Sequence, residues 1–361
     1  MYGETMLFRY IQSQKKLILF SAIPAILLLC GLFIAGEVWL RYKYEKIERI
    51  TGVKEWELAV LGDLSYYWDQ YHPVMGWVNR PSYQSDGRVP FKVTINSQGL
   101  RSNKDYTPEA KKGVKRYAVI GDSCVFGEEV DDDKTLPFFL ERQIANAEFM
   151  NFGVHGYGLG EMALLLEEKV FQHNPEHIIL VLTLPVSFGR TTTSQFVHSK
   201  PLFAFENGQL ALHNVPVPES THQPWMLKHS FVAAWFFGRP KALPESDSFE
   251  EAIDVSRALM ERIIRQCRKK SIAISVVALP APEWIKSMYS DERVGSLMGT
   301  SMNLVNSLGC DVFDMTGFLR QILNKHGKAL ESPTGTHWSG KGNELIAENI
   351  TLHLKQKSSG K

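Results

Sequence analysis

From residue 116 onward, short continuous apolar runs alternate with longer stretches whose apolar residues recur every three or four positions. The runs 117–120, 149–154, 178–184, 272–279 and 311–315 are short and apolar, and read as strands. The stretches 134–147, 159–172, 249–270 and 340–354 read as helices by their 3.6-residue period. Strand and helix in alternation predict a parallel sheet covered on both faces, a three-layer α/β/α domain over 116–356. The tail after Lys355 is expected to fray.

Two segments break that rhythm. Residues 71–115 are rich in Pro, Gly, Asn and Ser, with short alternating runs such as Phe91-Lys92-Val93-Thr94-Ile95. They predict a small β-type lead-in. Residues 191–248 form an insertion. Inside it the apolar runs 201–205 and 209–213 flank Asn207-Gly208, a strong hairpin signal. An aromatic stretch from Phe231 to Phe237 follows. The insertion is expected to cap the active site; packing away from the chemistry is the alternative.

The run from Leu17 to Leu40 is of another kind, apolar without interruption except for Glu37 near its end. As a helix it would extend about 36 Å, enough to cross a hydrocarbon core. Its length, and the lack of a small-x-small cleavage site before a polar start, favour an uncleaved anchor over a cleaved signal. Residues 1–16 form an N-terminal tail. Residues 41–70 mix charges with Tyr42, Tyr44, Trp56, Tyr66, Tyr67 and Trp68. They read equally as a juxtamembrane stalk with interfacial aromatics or as plain packing onto the domain. Arg9, Lys15 and Lys16 precede the span, while Arg41, Lys43, Lys46, Arg49 and Lys54 follow it. That count alone places the C-terminal domain in the cytoplasm.

Composition narrows the chemistry. A chain of 361 residues, 44% hydrophobic, suffices for one large domain with appendages. A net charge of +1 gives no footprint for nucleic acid. Four scattered cysteines, Cys30, Cys124, Cys267 and Cys310, make neither a disulfide framework nor a Cys-x-x-Cys metal site. His173-Asn174-Pro175-Glu176-His177 fits the H-x-x-E-H zinc pattern in letters, but Pro175 denies it the helix that pattern needs. Gly156-Tyr157-Gly158-Leu159-Gly160 is a distorted dinucleotide fingerprint, and Glu176 falls before the next strand rather than at its end. No metal and no cofactor is expected.

The remaining candidate is a serine. Gly121-Asp122-Ser123 closes the first strand of the alternating region, at the sheet edge where open α/β folds bind ligands. A serine nucleophile needs a base. His337, in Thr334-Gly335-Thr336-His337-Trp338, stands just before the last helix and is the best candidate. Ser123 as a turn or capping residue is the alternative. Asp122 is expected to shape the turn. Cys124 is a rival nucleophile, better read as a small buried residue. His155 is expected to be structural.

Three blocks carry a resemblance: VIGDSCVFGEEV at 119–130, NFGVHGYG at 151–158 and THWSGKGNELIAENI at 336–350. In order and spacing they resemble the SGNH (GDSL-type) hydrolase family over roughly residues 70–356. The lead-in, HPVMGW then TINSQGLRSNKDY, is similar to the N-terminal extension of a membrane-anchored or secreted branch. The G-x-S-x-G elbow of ordinary lipases is not matched, since Val125 stands where its second Gly would be. The resemblance implies an SGNH-like α/β/α domain behind one N-terminal transmembrane helix. It also implies that the domain is extracytoplasmic, against the charge count, and the resemblance is the stronger guide.

By the same resemblance Ser123 is the nucleophile, and its backbone N–H joins that of Gly156 in an oxyanion hole. His337 is the base, while Gly153 and Gly158 serve the turn. Two usual residues are missing. The family carries Asn after the third strand, whereas Leu184-Pro185-Val186-Ser187-Phe188-Gly189-Arg190 has none; Ser187 and Arg190 can donate hydrogen bonds there. The family also carries Asp three residues before the His, where this chain has Thr334. A Thr hydroxyl can fix a tautomer but brings no charge, and Glu331 is six residues away. Three functions stay open. One is an esterase acting on O-acyl groups of a cell-surface glycan or another ester. Another is an O-acyltransferase working with a membrane acyltransferase. The third is a binding or assembly module with a weak or inactive site.

Overall fold

A computed structural model of the chain describes residues 22–43, 68–87, 89–193, 199–218, 230–233 and 246–359. Residues 1–21, most of the expected stalk and Trp235–Phe237 of the aromatic stretch lie outside the described residues. Helix α1, Ala22–Lys43, is long and apolar enough to cross a membrane, and 6% of its most apolar window is buried, unlike a core helix. Its acid, Glu37, accepts from the N–H groups of Phe231 and Val232 at 2.9 and 3.0 Å and from the Ser230 hydroxyl at 3.1 Å. Arg41 lies over the Phe231 ring at 4.5 Å.

The lead-in opens with an antiparallel pair, β1 (Asp69–His72) and β2 (Gly76–Asn79). It continues through isolated bridges, Gln84 with Thr94 and Ile95 with Arg101. Trp68, buried, stacks on Phe126 at 5.5 Å and packs with Tyr83 and Phe91, so this end of the expected stalk packs onto the domain.

The domain itself runs β3 (Lys115–Gly121), α2 (Ser123–Phe126), α3 (Leu136–Gln143), β4 (Ala147–Gly153), α4 (Leu159–Glu168), β5 (His177–Leu182) and α5 (Val186–Gly189). After the hairpin β6 (Leu202–Glu206) and β7 (Gln209–His213) come α6 (Ser246–Lys269), β8 (Ala273–Ala278), α7 (Pro282–Ser287), α8 (Glu292–Asn306), β9 (Asp311–Asp314), α9 (Thr316–His326) and α10 (Gly340–Ser359). Five strands form one parallel sheet in the order β4-β3-β5-β8-β9. The expected three-layer α/β/α domain is therefore present.

The uninterrupted apolar character of the strands has a direct cause. Ala118 and Ile120 of β3 and Ile178 and Leu180 of β5 face one core, with α4, α6 and α8. Tyr117, Val119, Ile179 and Val181 face the other, with α3, α9 and α10. Period-two side chains with both faces covered leave no polar position. The chain runs from β3 to β4 on one side and returns to β5 on the other, so the crevice beyond β3 and β5 is the topological switch point.

Three points differ from expectation, and one, the hairpin, is met. Helix α10 continues to Ser359, beyond the predicted fraying point. Helices α8 and α9 were not predicted; α8 carries Gly295, Gly299 and several Ser and Thr, which blur its period. The Asn207-Gly208 hairpin forms, with φ of 50° and 79° at the turn. It does not cap the site: among the described residues of the insertion none lines the pocket around Ser123. They pack on the lead-in instead, where Tyr71 Oη donates to Val217 O at 2.6 Å and Val217 N to Pro73 O at 2.7 Å.

Arg101 ties the lead-in to the domain. Its buried guanidinium donates to the carbonyls of Phe126 (2.9 Å), Gly127, Val130 (2.6 Å) and Lys92 (3.0 Å), and pairs with Asp132 at 3.3 Å. Arg101→Met keeps much of the stem and removes every one of these donors. We expect a loss of about 3 kcal/mol or more in folding free energy, read from the urea midpoint. An unchanged midpoint would mean the loop does not depend on Arg101.

Candidate active site

Strand β3 ends at Gly121, where a Cβ would sit 2.4 Å from Val125 Cγ2. Glycine thus lets the chain fold back tightly at this point. Asp122 caps α2, accepting from Cys124 N–H at 3.0 Å, and Thr183 Oγ1 donates to the same oxygen at 2.9 Å. Asp122 shapes the turn as expected. Ser123 is thereby held at the first position of α2, beyond the carboxyl end of the sheet. The helix lasts one turn because Gly127 takes the left-handed conformation, φ 85°. The chain then reverses through Glu128 and Glu129. Glu129 is itself left-handed at φ 65°, a strained conformation for a non-glycine residue.

The other half comes from the loop before α10. Glu331 bridges Trp338, Gly335 turns at φ 80°, and buried Trp338 donates its indole N–H to Pro280 O at 3.2 Å. His337 Nε2 lies 2.9 Å from Ser123 Oγ. Its Nδ1 lies 2.8 Å from Glu129 Oε1. Thr334 donates to both oxygens of that carboxylate, from Oγ1 at 2.6 Å and from N–H at 3.1 Å. This corrects the expectation of a His337 without a charged partner. The acid comes from the first block rather than from position 334, and Thr334 holds it. Glu331 pairs with Lys286 at 2.5 Å and plays no part here. Two acidic neighbours after a left-handed glycine were a faint signal in the sequence.

The electrostatics follow from this crowding. Burial alone would lower the His337 pKa. The charge of Glu128 and the hydrogen-bonded charge of Glu129 outweigh it and push the imidazole up to about 9. Burial would raise Glu129, but its bonds to His337 and Thr334 hold it below the ordinary carboxylate range. Burial pushes the Cys124 thiol well up, so it is no rival nucleophile.

A cavity of about 260 Å³ opens on this pair, lined among others by Gly156, Thr183, Arg190, Glu283 and Trp284. Gly156 sits at φ 73° and lines the same pocket as Ser123. Gly153 serves packing, since a Cβ there would lie 2.1 Å from Phe126 N, and Gly158 caps α4. Arg190 reaches the pocket; its Nη1 lies 3.7 Å from Asp122 Oδ2 and donates to Tyr157 O at 3.2 Å. Ser187 does not. Its Oγ is buried and accepts from Thr183 N–H at 2.9 Å. His155, expected to be structural, lines the cavity, with Nδ1 3.5 Å from Glu128. A larger cavity of about 610 Å³ lies beside the lead-in, lined among others by Lys104, Tyr106 and Phe138, and holds no nucleophile–base pair.

No protein-family model matches the chain, and comparison with curated proteins finds no match. Solved structures do match. A lipase/acylhydrolase from Enterococcus faecalis is 12% identical, over 68% of this chain and 97% of that one, with a TM-score of 0.40. An α/β hydrolase from the metagenome of Lake Arreo, Spain, is 11% identical, over 66% and 94%, at 0.42. The psychrotrophic esterase EstA from Pseudoalteromonas sp. is 10% identical, over 68% and 99%, at 0.39. Likeness at this level bears on neither activity nor substrate.

The raised His337 pKa makes a pH prediction. The neutral imidazole is the form that can accept the Ser123 proton, and below a pKa of about 9 its fraction falls tenfold per pH unit. Labelling of Ser123 by a fluorophosphonate serine reagent should therefore accelerate from about pH 7 and level off above about pH 9. The stability term runs the other way: His337 stabilises the fold fully below its ordinary 6.5 and loses that contribution as pH rises through about 9. A labelling rate already flat at neutral pH would contradict the ion pair.

Proposed function

We propose that this protein is a serine-dependent hydrolase of short O-acyl esters, anchored in a membrane by α1. The observation that carries it is the continuous contact from Ser123 Oγ through His337 to Glu129, at 2.9 and 2.8 Å. Ser123 Oγ attacks the acyl carbon while its proton passes to His337 Nε2. Glu129 stabilises the imidazolium on its Nδ1 side. The acyl oxygen takes the negative charge, beside the N–H groups of Ser123 and Gly156. Arg190 brings a cation to the pocket in place of the missing Asn. His337 then returns the proton to the leaving alcohol, and an acyl-Ser123 ester remains for an acceptor to cleave.

The pocket informs the substrate. At about 260 Å³ it suits an acetyl or similarly short acyl group rather than a fatty chain. Asp122, Glu128 and Glu283 all line it, so a neutral ester fits better than an anionic one. An O-acylated carbohydrate at the cell surface meets these terms, with the domain outside the cytoplasm. Transfer to a sugar would use the same acyl-enzyme, supplied by a membrane acyltransferase. The binding-module alternative drew on a missing acid and a missing Asn; Glu129 speaks against the first ground, and the Asn is still lacking after the third strand. Shaving intact spheroplasts with protease tests orientation: the domain should be cleaved without lysis, and protection until lysis would place it in the cytoplasm.

The acid itself can be tested by moving it. Ser123→Ala and His337→Ala should each remove nearly all turnover of a generic acetyl ester, by about 1000-fold or more. Glu129→Gly, which suits φ 65°, should cost about 100- to 10,000-fold in kcat. Adding Thr334→Asp to Glu129→Gly should recover at least about tenfold, because position 334 already touches the carboxylate site. Thr334→Asp alone should lower activity, since it sets two carboxylates against each other. Equal rates for Glu129→Gly with and without Thr334→Asp would show that Glu129 is not the acid that serves His337.

A further inference from the structure

A second line of titratable groups stands behind the pair, and the reaction above does not use it. Glu128 is 6% exposed and lines the pocket. Its Oε2 lies 3.9 Å from His337 Nε2, the nitrogen that faces Ser123, and 3.5 Å from His155 Nδ1. His155 Nε2 in turn lies 4.0 Å from Asp69 Oδ2. Asp69, on β1 of the lead-in, is fully buried, and neither carboxylate oxygen has a hydrogen-bond partner. Burial and the Glu128 charge push its pKa well above the ordinary range, against the pull of Arg80. Burial lowers His155, against its hydrogen bond to Glu128. A neutral His155 can therefore donate from Nδ1 to Glu128, while its Nε2 faces the buried Asp69 carboxyl at 4.0 Å. The other charges reaching this line are Glu129, Arg190 and Arg101.

We propose that Glu128, oriented by His155 and Asp69, is the base that takes the proton of the acceptor hydroxyl when it attacks acyl-Ser123. The inference rests on the esterase reading and extends it to the second half-reaction. The acceptor oxygen bonds to the acyl carbon and its proton goes to Glu128. The bond from the acyl carbon to Ser123 Oγ breaks, and Oγ takes the proton of the His337 imidazolium. Glu128 then passes its proton to His337, which gives back to solvent the proton it had taken up from solvent after acylation, so carboxylate and neutral imidazole are both restored. The division of labour answers the crowding at His337. An imidazolium is a good acid toward Oγ, but it cannot accept a proton from the acceptor.

The experiment is pre-steady-state turnover of p-nitrophenyl acetate by the full chain in detergent, with intact-mass analysis. Glu128→Gln should keep the initial burst and accumulate acetyl-Ser123. Its steady rate should fall about 100-fold at pH 7, where His337 is the imidazolium, and by less on the alkaline plateau, where the neutral imidazole can itself accept the proton. Asp69→Asn, away from the pocket, should slow the same step by a smaller factor and covers the case in which Glu128→Gln does not fold. If instead the acidic limb shifts to lower pH and the steady rate at about pH 7 is unchanged or rises, Glu128 merely sets the His337 pKa and the proposal is wrong. Loss of the burst in folded Glu128→Gln would also overturn it, by placing Glu128 in acylation. Absence of any acetyl adduct in wild type and variants would remove the esterase reading itself.

Discussion

The site depends on one buried cation that belongs to none of its catalytic blocks. The segment after α2 carries Glu128 and Glu129 through a reversal with no helix or strand to satisfy its carbonyls. Arg101 supplies what secondary structure would have supplied, by donating to Phe126, Gly127 and Val130. A buried carbonyl without a donor costs about 1–3 kcal/mol, and here several share one guanidinium. The geometry of the acid at His337 is thus set from the lead-in. Asn79 adds a second tie, donating to Gly153 O at 3.0 Å, and Trp77 a third, donating to His155 O at 2.8 Å. The segment that looked like an appendage to the α/β domain braces, from behind, the loops that carry the candidate site.

That dependence explains what the sequence could and could not reveal. Strands buried on both faces announce themselves as apolar runs, and the inner strands β3, β5 and β8 were legible for that reason. The Asn207-Gly208 hairpin was legible because its dihedrals demand those residues. Ser123 and His337 were legible because nucleophile and base are fixed at strand and helix ends. Glu129 was not. Its role arises from a left-handed glycine, a left-handed glutamate and a long-range arginine acting together, and no period or local propensity encodes that sum. Thr334 was misread for a related reason. Seen alone it is a lost charge; seen beside Glu129 it is the donor that holds one.

Placing the acid on the first block has an electrostatic consequence. The residue before Glu129 is also an acid, and the tight reversal aims both carboxylates toward one imidazole, at 2.8 Å from Nδ1 and 3.9 Å from Nε2. An acid reaching His337 from the Nδ1 side alone stabilises the imidazolium without crowding the substrate. A second one near Nε2 stabilises it further but sits where substrate must bind. The gain in holding the imidazolium is offset by a smaller neutral fraction at ordinary pH, so acylation is slowed unless the medium is alkaline. A site with this arrangement favours the steps in which His337 acts as an acid. On the proposed mechanism His337 is an acid both toward the leaving alcohol and toward Ser123 Oγ, and it is in the second of these that another base beside the imidazolium has most effect.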